Sequence, residues 1–177
     1  SDLNRMRFAI EVVESVRAHW PADKPLFMRL SVEDDAGWGP EQSVALARIV
    51  KDKGVDVIDC SGGGMSTKPP AAPVGYGYQV PYAEKLKHEA GIITMAVGLI
   101  VHADQAERVL QEDRADLIAL ARELLYNPNW PLDAAQKLGL DPDFAMAPPQ
   151  SGWWLARRAR TANELTMSTF RGGLGVE

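Results

Sequence analysis

Arg29, Ser61 with the glycines behind it, Gly98 and Arg122 each stand at or just past the end of a short apolar run, and these are the positions where this sequence could do chemistry. Arg29 lies within Pro25-Leu26-Phe27-Met28-Arg29-Leu30-Ser31, where a permanently charged guanidinium is costly to bury unless an anion or several acceptors meet it. A bound anionic ligand could do so, and so could Asp34, Asp35 or Asp59. Gly98 follows Ala96-Val97, and Arg122 follows Leu120-Ala121. A backbone N–H and a guanidinium from adjacent units can hold a phosphate from two sides. The plainer alternative is a tight turn at Gly98 and an exposed cation at Arg122. Ser61 leads into Gly62-Gly63-Gly64, whose missing side chains would allow close approach by a flat ligand, although the run is neither GxGxxG nor a Walker pattern and could be a simple turn.

The remaining candidates are weaker. His19, His88 and His102 stand apart, with no Cys, His or carboxylate cluster at ligand spacing, so no metal site is expected. Cys60 lies within an apolar run and reads as a small core residue rather than a nucleophile. Ser61 has no histidine base in the pattern, so a catalytic triad is not expected. Trp153-Trp154 beside Arg157, Arg158 and Arg160 reads as packing or a subunit contact. Nucleic-acid binding is disfavoured because the 177 residues carry 19 Lys and Arg against 24 Asp and Glu, a net charge of −5.

The elements that must position these residues are legible as alternation. Leu3, Met6, Ile10, Val13 and Val16 recur at helical spacing behind Ser1 and Asp2, either of which could cap the helix, and the helix should end before Pro21. Strands are expected at 25–31, 55–61, 91–97 and 115–121, the first nearly continuously apolar and each read as buried on both faces. Helices are expected at about 40–53, with Val44, Ala47 and Val50 inward; at 81–90; at 104–112, with Ala106, Val109 and Leu110 inward; and near 131–138. Four βα units imply a parallel sheet, either open and doubly wound or part of a (β/α)8 barrel, of which four units are half. Such a half would leave strand edges and apolar faces needing cover.

A hydrophobic fraction of 46% with 24% charged residues excludes a disordered or collagen-like chain. One cysteine, no signal-peptide pattern and no apolar run near 20 residues point to a soluble cytoplasmic protein without a membrane partner.

Taken in order, Asn4-Arg5-Met6-Arg7-Phe8, Phe27-Met28-Arg29-Leu30-Ser31, Asp59-Cys60-Ser61-Gly62-Gly63, Tyr78-Gln79-Val80-Pro81-Tyr82-Ala83, Ala96-Val97-Gly98 and the stretch from Ala115-Asp116-Leu117-Ile118 through Arg122-Glu123-Leu124-Leu125 resemble the old yellow enzyme family of FMN-dependent ene-reductases. The likeness spans residues 1 to about 157 and is closest to the bacterial thermophilic-like and xenobiotic-reductase members. It implies an FMN-binding (β/α)8 TIM barrel of which this chain is the C-terminal half, with residues 1–150 in the half-barrel and 151–177 forming a C-terminal segment and frayed tail.

It also implies roles. Arg29 would lie at the flavin N1 and O2, Gly98 and Arg122 at the FMN phosphate, and Ser61, Gly62 and Gly63 near the ring or ribityl edge. Val97 and Ala121 complete the cofactor set, with Ala121 standing where the family usually has glycine. Trp153, Trp154 and Arg157 loosely match a segment that reaches a neighbouring subunit, so a homo-oligomer is expected. By this resemblance the intact oxidoreductase is a flavoprotein that passes hydride from NAD(P)H through FMN to the C=C of an enone or quinone-like substrate. The family's substrate-anchoring side chains come from the first four strands, so the chain is expected to need an N-terminal half-barrel partner and to be inactive alone. The alternative is an isolated half-barrel with a phosphate-binding edge and no turnover.

Overall fold

The computed structural model describes residues 1–63 and 73–161. Gly64 of the glycine run and the expected frayed tail lie outside the described residues. The chain forms two compact units, Ser1–Pro128 and a second that begins at Asn129.

The first unit opens with α1 (Asp2–His19), which Ser1 precedes without a side-chain cap. Met6 and Val13 are buried, while Leu3, expected on the same inner face, is exposed. Then β1 (Phe27–Ser31), α2 (Pro40–Asp52), β2 (Val57–Ser61), α3 (Val80–Ala90), β3 (Ile93–Ala96), α4 (Ala103–Gln111), β4 (Leu117–Ile118) and α5 (Arg122–Tyr126) alternate as the apolar spacing predicts. Pro40 starts α2, where its fixed φ and missing N–H cost nothing, and Gly54, at φ +95°, lets the chain turn after its end.

All strand pairs are parallel and the sheet order is β1-β2-β3-β4, the order of the chain itself. An open doubly wound sheet needs a point where the order reverses, and these four strands contain none. Sequential parallel winding is the pattern of a partial TIM-type barrel.

The two faces of the sheet differ. The register aligns Leu30, Cys60, Ala96 and Ile118 in one row and Arg29, Asp59, Met95 and Leu117 in the next, and alternate rows face opposite ways. Cys60 and Ala96 are fully buried, as are Ala47 and Val50 of α2 and Ala83 and Leu86 of α3, so the core lies between that face and the helices. On the other face Phe27, Ile93 and Leu117 remain exposed. The expectation of strands buried on both faces holds for β2, whose Val57 and Ser61 on that face are buried, and is corrected for β1, β3 and β4, which no layer covers there among the described residues.

Two further expectations are corrected. The fourth strand, expected over 115–121, is a ladder of only Leu117 and Ile118, because β3 ends at Ala96 and meets it only through Met95 and Ala96. Leu110 is partly exposed rather than inward, since the buried stripe of α4 follows Ala103, Ala106 and Val109. In the second unit, α6 (Trp130–Lys137) lies where a helix was expected, and α7 (Pro149–Ala159) carries the tryptophan pair. Gly152 of α7 lies so close to the Phe144 carbonyl that a Cβ there would sit 2.7 Å from its oxygen.

Candidate functional site

Parallel strands deliver their loops to the sheet's carboxyl end, and there the first unit has a cleft of about 520 Å³. Arg29, Ser61, Gly62, Gly63, Val97, Gly98, Ala121 and Arg122 all line it. Arg29 lies on β1 and Arg122 follows β4, the two outer strands of the four, which stand about three strand spacings, roughly 14 Å, apart.

Arg29 is not the buried cation the apolar run suggested. Its side chain is 72% exposed on the open face, and its Nε lies 3.8 Å from Asp59 Oδ2. The register explains the pairing, for Arg29 and Asp59 are direct partners across β1 and β2. Of the three carboxylates considered, Asp59 is the one that meets it. Asp59 Oδ1 is buried without a hydrogen-bond partner among the described residues.

Ser61 is buried, and its Oγ donates a long 3.5 Å bond to the Leu30 carbonyl. Gly62 follows under the ring of Tyr82, where a Cβ would come within 2.9 Å of Cε2. The Tyr82 hydroxyl is held above its ordinary pKa by burial and then by the neighbouring Glu33 carboxylate.

The loop after β3 depends on glycine. Gly98 has φ +113°, and a Cβ there would meet Gln79 Cβ at 3.1 Å and its backbone nitrogen at 3.2 Å. The Gly98 carbonyl accepts from Gly77 N–H at 2.9 Å. Gln105 braces the far side of the loop, donating to Leu99 O at 3.0 Å and accepting from Val101 N–H at 3.0 Å. The N–H groups of Gly98 and Leu99 meet no acceptor among the described residues.

Arg122 opens α5 and forms neither an ion pair nor a side-chain hydrogen bond among the described residues. Ala121 has φ −115°, outside the left-handed region, so its φ is not one that calls for the glycine expected there.

Gln79 belongs to the Tyr78–Ala83 motif but is not among the residues expected to contact a ligand. Gln79 is buried, lines the cleft and donates from Nε2 to Gly62 O at 2.8 Å, tying the loop after β2 to the loop after β3. An amide directly before an apolar helix start, behind a long glycine-rich loop, was the signal available. Ser31, Tyr78 and Glu123 also line the cleft and were not singled out as site residues.

Other sequence candidates lie elsewhere. Cys60 is buried on the helix-facing row, and burial, reinforced by Asp59, pushes its thiol up to about 12, which leaves it un-ionised and unreactive at neutral pH. Trp153 and Trp154 meet edge to face at 4.4 Å, with the Arg157 guanidinium 5.3 Å from the Trp153 ring, and both indoles are exposed. Among the described residues, no group of three or more His, Cys, Asp and Glu could hold a metal, and no helix is long and apolar enough to cross a membrane.

Comparison with known proteins gives this geometry a lineage. The model of the NADH:flavin oxidoreductase / NADH oxidase family matches residues 1–141. The chain belongs to that family. NADPH dehydrogenase from Halalkalibacterium halodurans is 49% identical over 138 residues, 77% of this chain and 40% of that protein. The NADPH dehydrogenase of a Geobacillus species is 48% identical over 138 residues, and that of Clostridium acetobutylicum 43% over 144. The chain spans about 40% of the length of these curated relatives. A crystal structure of DHODH from Eimeria tenella in complex with ferulenol overlaps 65% of the chain at 11% identity, with a TM-score of 0.47.

The old yellow enzyme resemblance is borne out by family membership, which points to FMN, with NAD(P)H as reductant. The cleft suits such a ligand. It offers a guanidinium and backbone N–H groups that meet no partner among the described residues, and a second cation on the farthest strand, in a volume within the usual range of roughly 300–1,000 Å³ for ligand sites.

Proposed function

We propose that this chain is the C-terminal half of an FMN-binding (β/α)8 barrel and supplies the flavin-holding side of an NAD(P)H-dependent ene-reductase. The observation that carries the reading is the convergence of all eight expected cofactor residues on one cleft at the carboxyl ends of the parallel strands. When bound, FMN would supply hydride transfer between NAD(P)H and the C=C of an α,β-unsaturated carbonyl compound.

The residues of this chain divide the task by position. The Arg122 guanidinium and the N–H groups of Gly98 and Leu99 offer a phosphate donors from neighbouring loops, and none of them is paired with a carboxylate among the described residues. Gly62 and Gly63 keep that stretch of wall free of side chains, and Gln79 holds Gly62 in place from behind. Arg29, on the open face, presents a permanent positive charge at the far end, where negative charge builds on flavin reduction. Among the described residues that line the cleft none pairs a nucleophile with a base, and we assign substrate anchoring and proton delivery to the N-terminal half-barrel partner. Trp153, Trp154 and Arg157 form an exposed aromatic and cationic group suited to a contact between subunits.

Co-expression with the first four βα units of a related ene-reductase tests this. The expected product is a soluble yellow complex that oxidises NAD(P)H in the presence of an enone, while the chain alone gives no turnover. A colourless complex would support the alternative of a half-barrel without turnover. A lone chain that binds FMN at equimolar ratio and reduces an enone would overturn the division of labour between the halves.

A further inference from the structure

Resting on the flavin reading above, we infer that Asp59 is a positioning residue for Arg29: its carboxylate attracts the Nε edge of the guanidinium and so favours rotamers that present the terminal nitrogens to the pyrimidine end of the flavin. Arg29 stands on an outer strand, on the open face, with its side chain 72% exposed. An arginine so placed has many rotamers and would spread its charge over a wide volume. Asp59 is the acidic neighbour the structure gives it, one strand inward at the matching register, with Oδ2 3.8 Å from Nε. Nη1 and Nη2 meet no acceptor among the described residues, and Arg29 lines the cleft.

The pair does little for the fold. An exposed guanidinium beyond hydrogen-bond distance contributes little stability. Asp59 meanwhile keeps its other oxygen, Oδ1, buried without a donor, which destabilises a sheet. A carboxylate kept at such a position calls for another explanation. Holding a charge that pre-exists where a reaction needs it is the service such a residue can render, because an oriented charge stabilises developing negative charge without reorganising first.

The test uses the flavin-loaded, assembled protein and reads the FMN midpoint potential. Arg29→Met should lower it, since the charge that favours reduction is gone. Asp59→Ala should lower it in the same direction, by roughly a tenfold loss of preference for reduced over oxidised flavin, about 30 mV for a two-electron couple. Asp59→Asn, which keeps an acceptor, should recover part of that loss. In the Arg29→Met background, Asp59→Ala should add nothing, as expected when one residue acts only through the other.

A potential that rises in both backgrounds would mean that Asp59 acts directly through its own charge, and the inference would fail. An unmoved potential in Asp59→Ala, alongside a lowered one in Arg29→Met, would overturn it equally. Loss of FMN binding in a folded Asp59→Ala would assign Asp59 to binding instead and count against positioning. If the alanine variant does not fold, Asp59→Ser supplies the same comparison. An unmoved potential in Arg29→Met with FMN still bound would instead overturn the placement of Arg29 by the flavin, a failure distinct from that of Asp59.

Discussion

Arg122 carries the most direct test of the proposed phosphate contact, because its guanidinium has no competing partner among the described residues. Hydrogen bonds to charged groups are worth roughly 1.5–3 kcal/mol, so Arg122→Ala should weaken FMN binding by about tenfold or more in a fluorescence titration of the assembled protein. Affinity unchanged from the parent would remove Arg122 from the phosphate site. Cys60 makes a different prediction, since its thiol is pushed up to about 12 from the ordinary 9.0 by burial and then by Asp59. Below about pH 9 the thiol is neutral both folded and unfolded, and nothing depends on it. Between about 9 and 12 only the unfolded chain ionises, so the stability supplied by the buried neutral thiol is lost as pH rises through that window. Denaturant unfolding under reducing conditions should therefore show a steeper decline across that window in the parent than in Cys60→Ala, with one additional proton released on unfolding. Parallel pH profiles would show that Cys60 is not shielded as its burial implies.

At the scale of elements, the loop between β3 and α4 is the most constrained part of the cleft. Gly98→Ala would place a Cβ against the Gln79 backbone and side chain at a φ that L-residues rarely adopt. The expected cost is about 1–3 kcal/mol, read as a lower denaturant midpoint with unchanged slope. A variant as stable as the parent would show that the loop relaxes freely. The order of the elements was legible because strand and helix periods differ so plainly here, and because Pro40 and Gly54 mark helix ends through their own backbone chemistry. The length of β4 was not, since residues 115–121 have a strand's composition, while the ladder depends on a neighbour that composition does not encode. The exposure of Arg29 was hidden for the same reason: an apolar run shows that a strand exists but not which of its faces is covered. Gln79 escaped notice because its importance is relational, arising from a bond to Gly62 and a contact with Gly98 that lie far apart in sequence.

At the scale of the whole molecule, surface that is apolar without being covered sets the behaviour of the first unit. Phe8, Val12 and Val16 of α1 join Phe27 of β1 around a hollow of about 290 Å³ beside the outer strand, and Phe8 is 77% exposed. Each outer strand is paired on one side only among the described residues, so backbone donors and acceptors stand open next to that apolar surface. Open parallel edges flanked by exposed aromatic and aliphatic side chains recruit other chains. The chain on its own should therefore sediment as oligomers or aggregates rather than as a monomer. Replacing Phe8 by Glu and Val12 by Lys should shift it toward monomer, because both side chains point into the hollow rather than the helix-packed core. The same two substitutions should weaken assembly with an N-terminal half-barrel if that partner covers this edge, so the yield of yellow complex should fall as the solubility of the lone chain rises. Sedimentation velocity of the lone chain and flavin absorbance of the co-expressed complex measure the two effects independently. A monomeric parent chain, or a doubly substituted chain that forms the yellow complex undiminished, would show that the partner binds elsewhere and that the hollow beside β1 is ordinary surface.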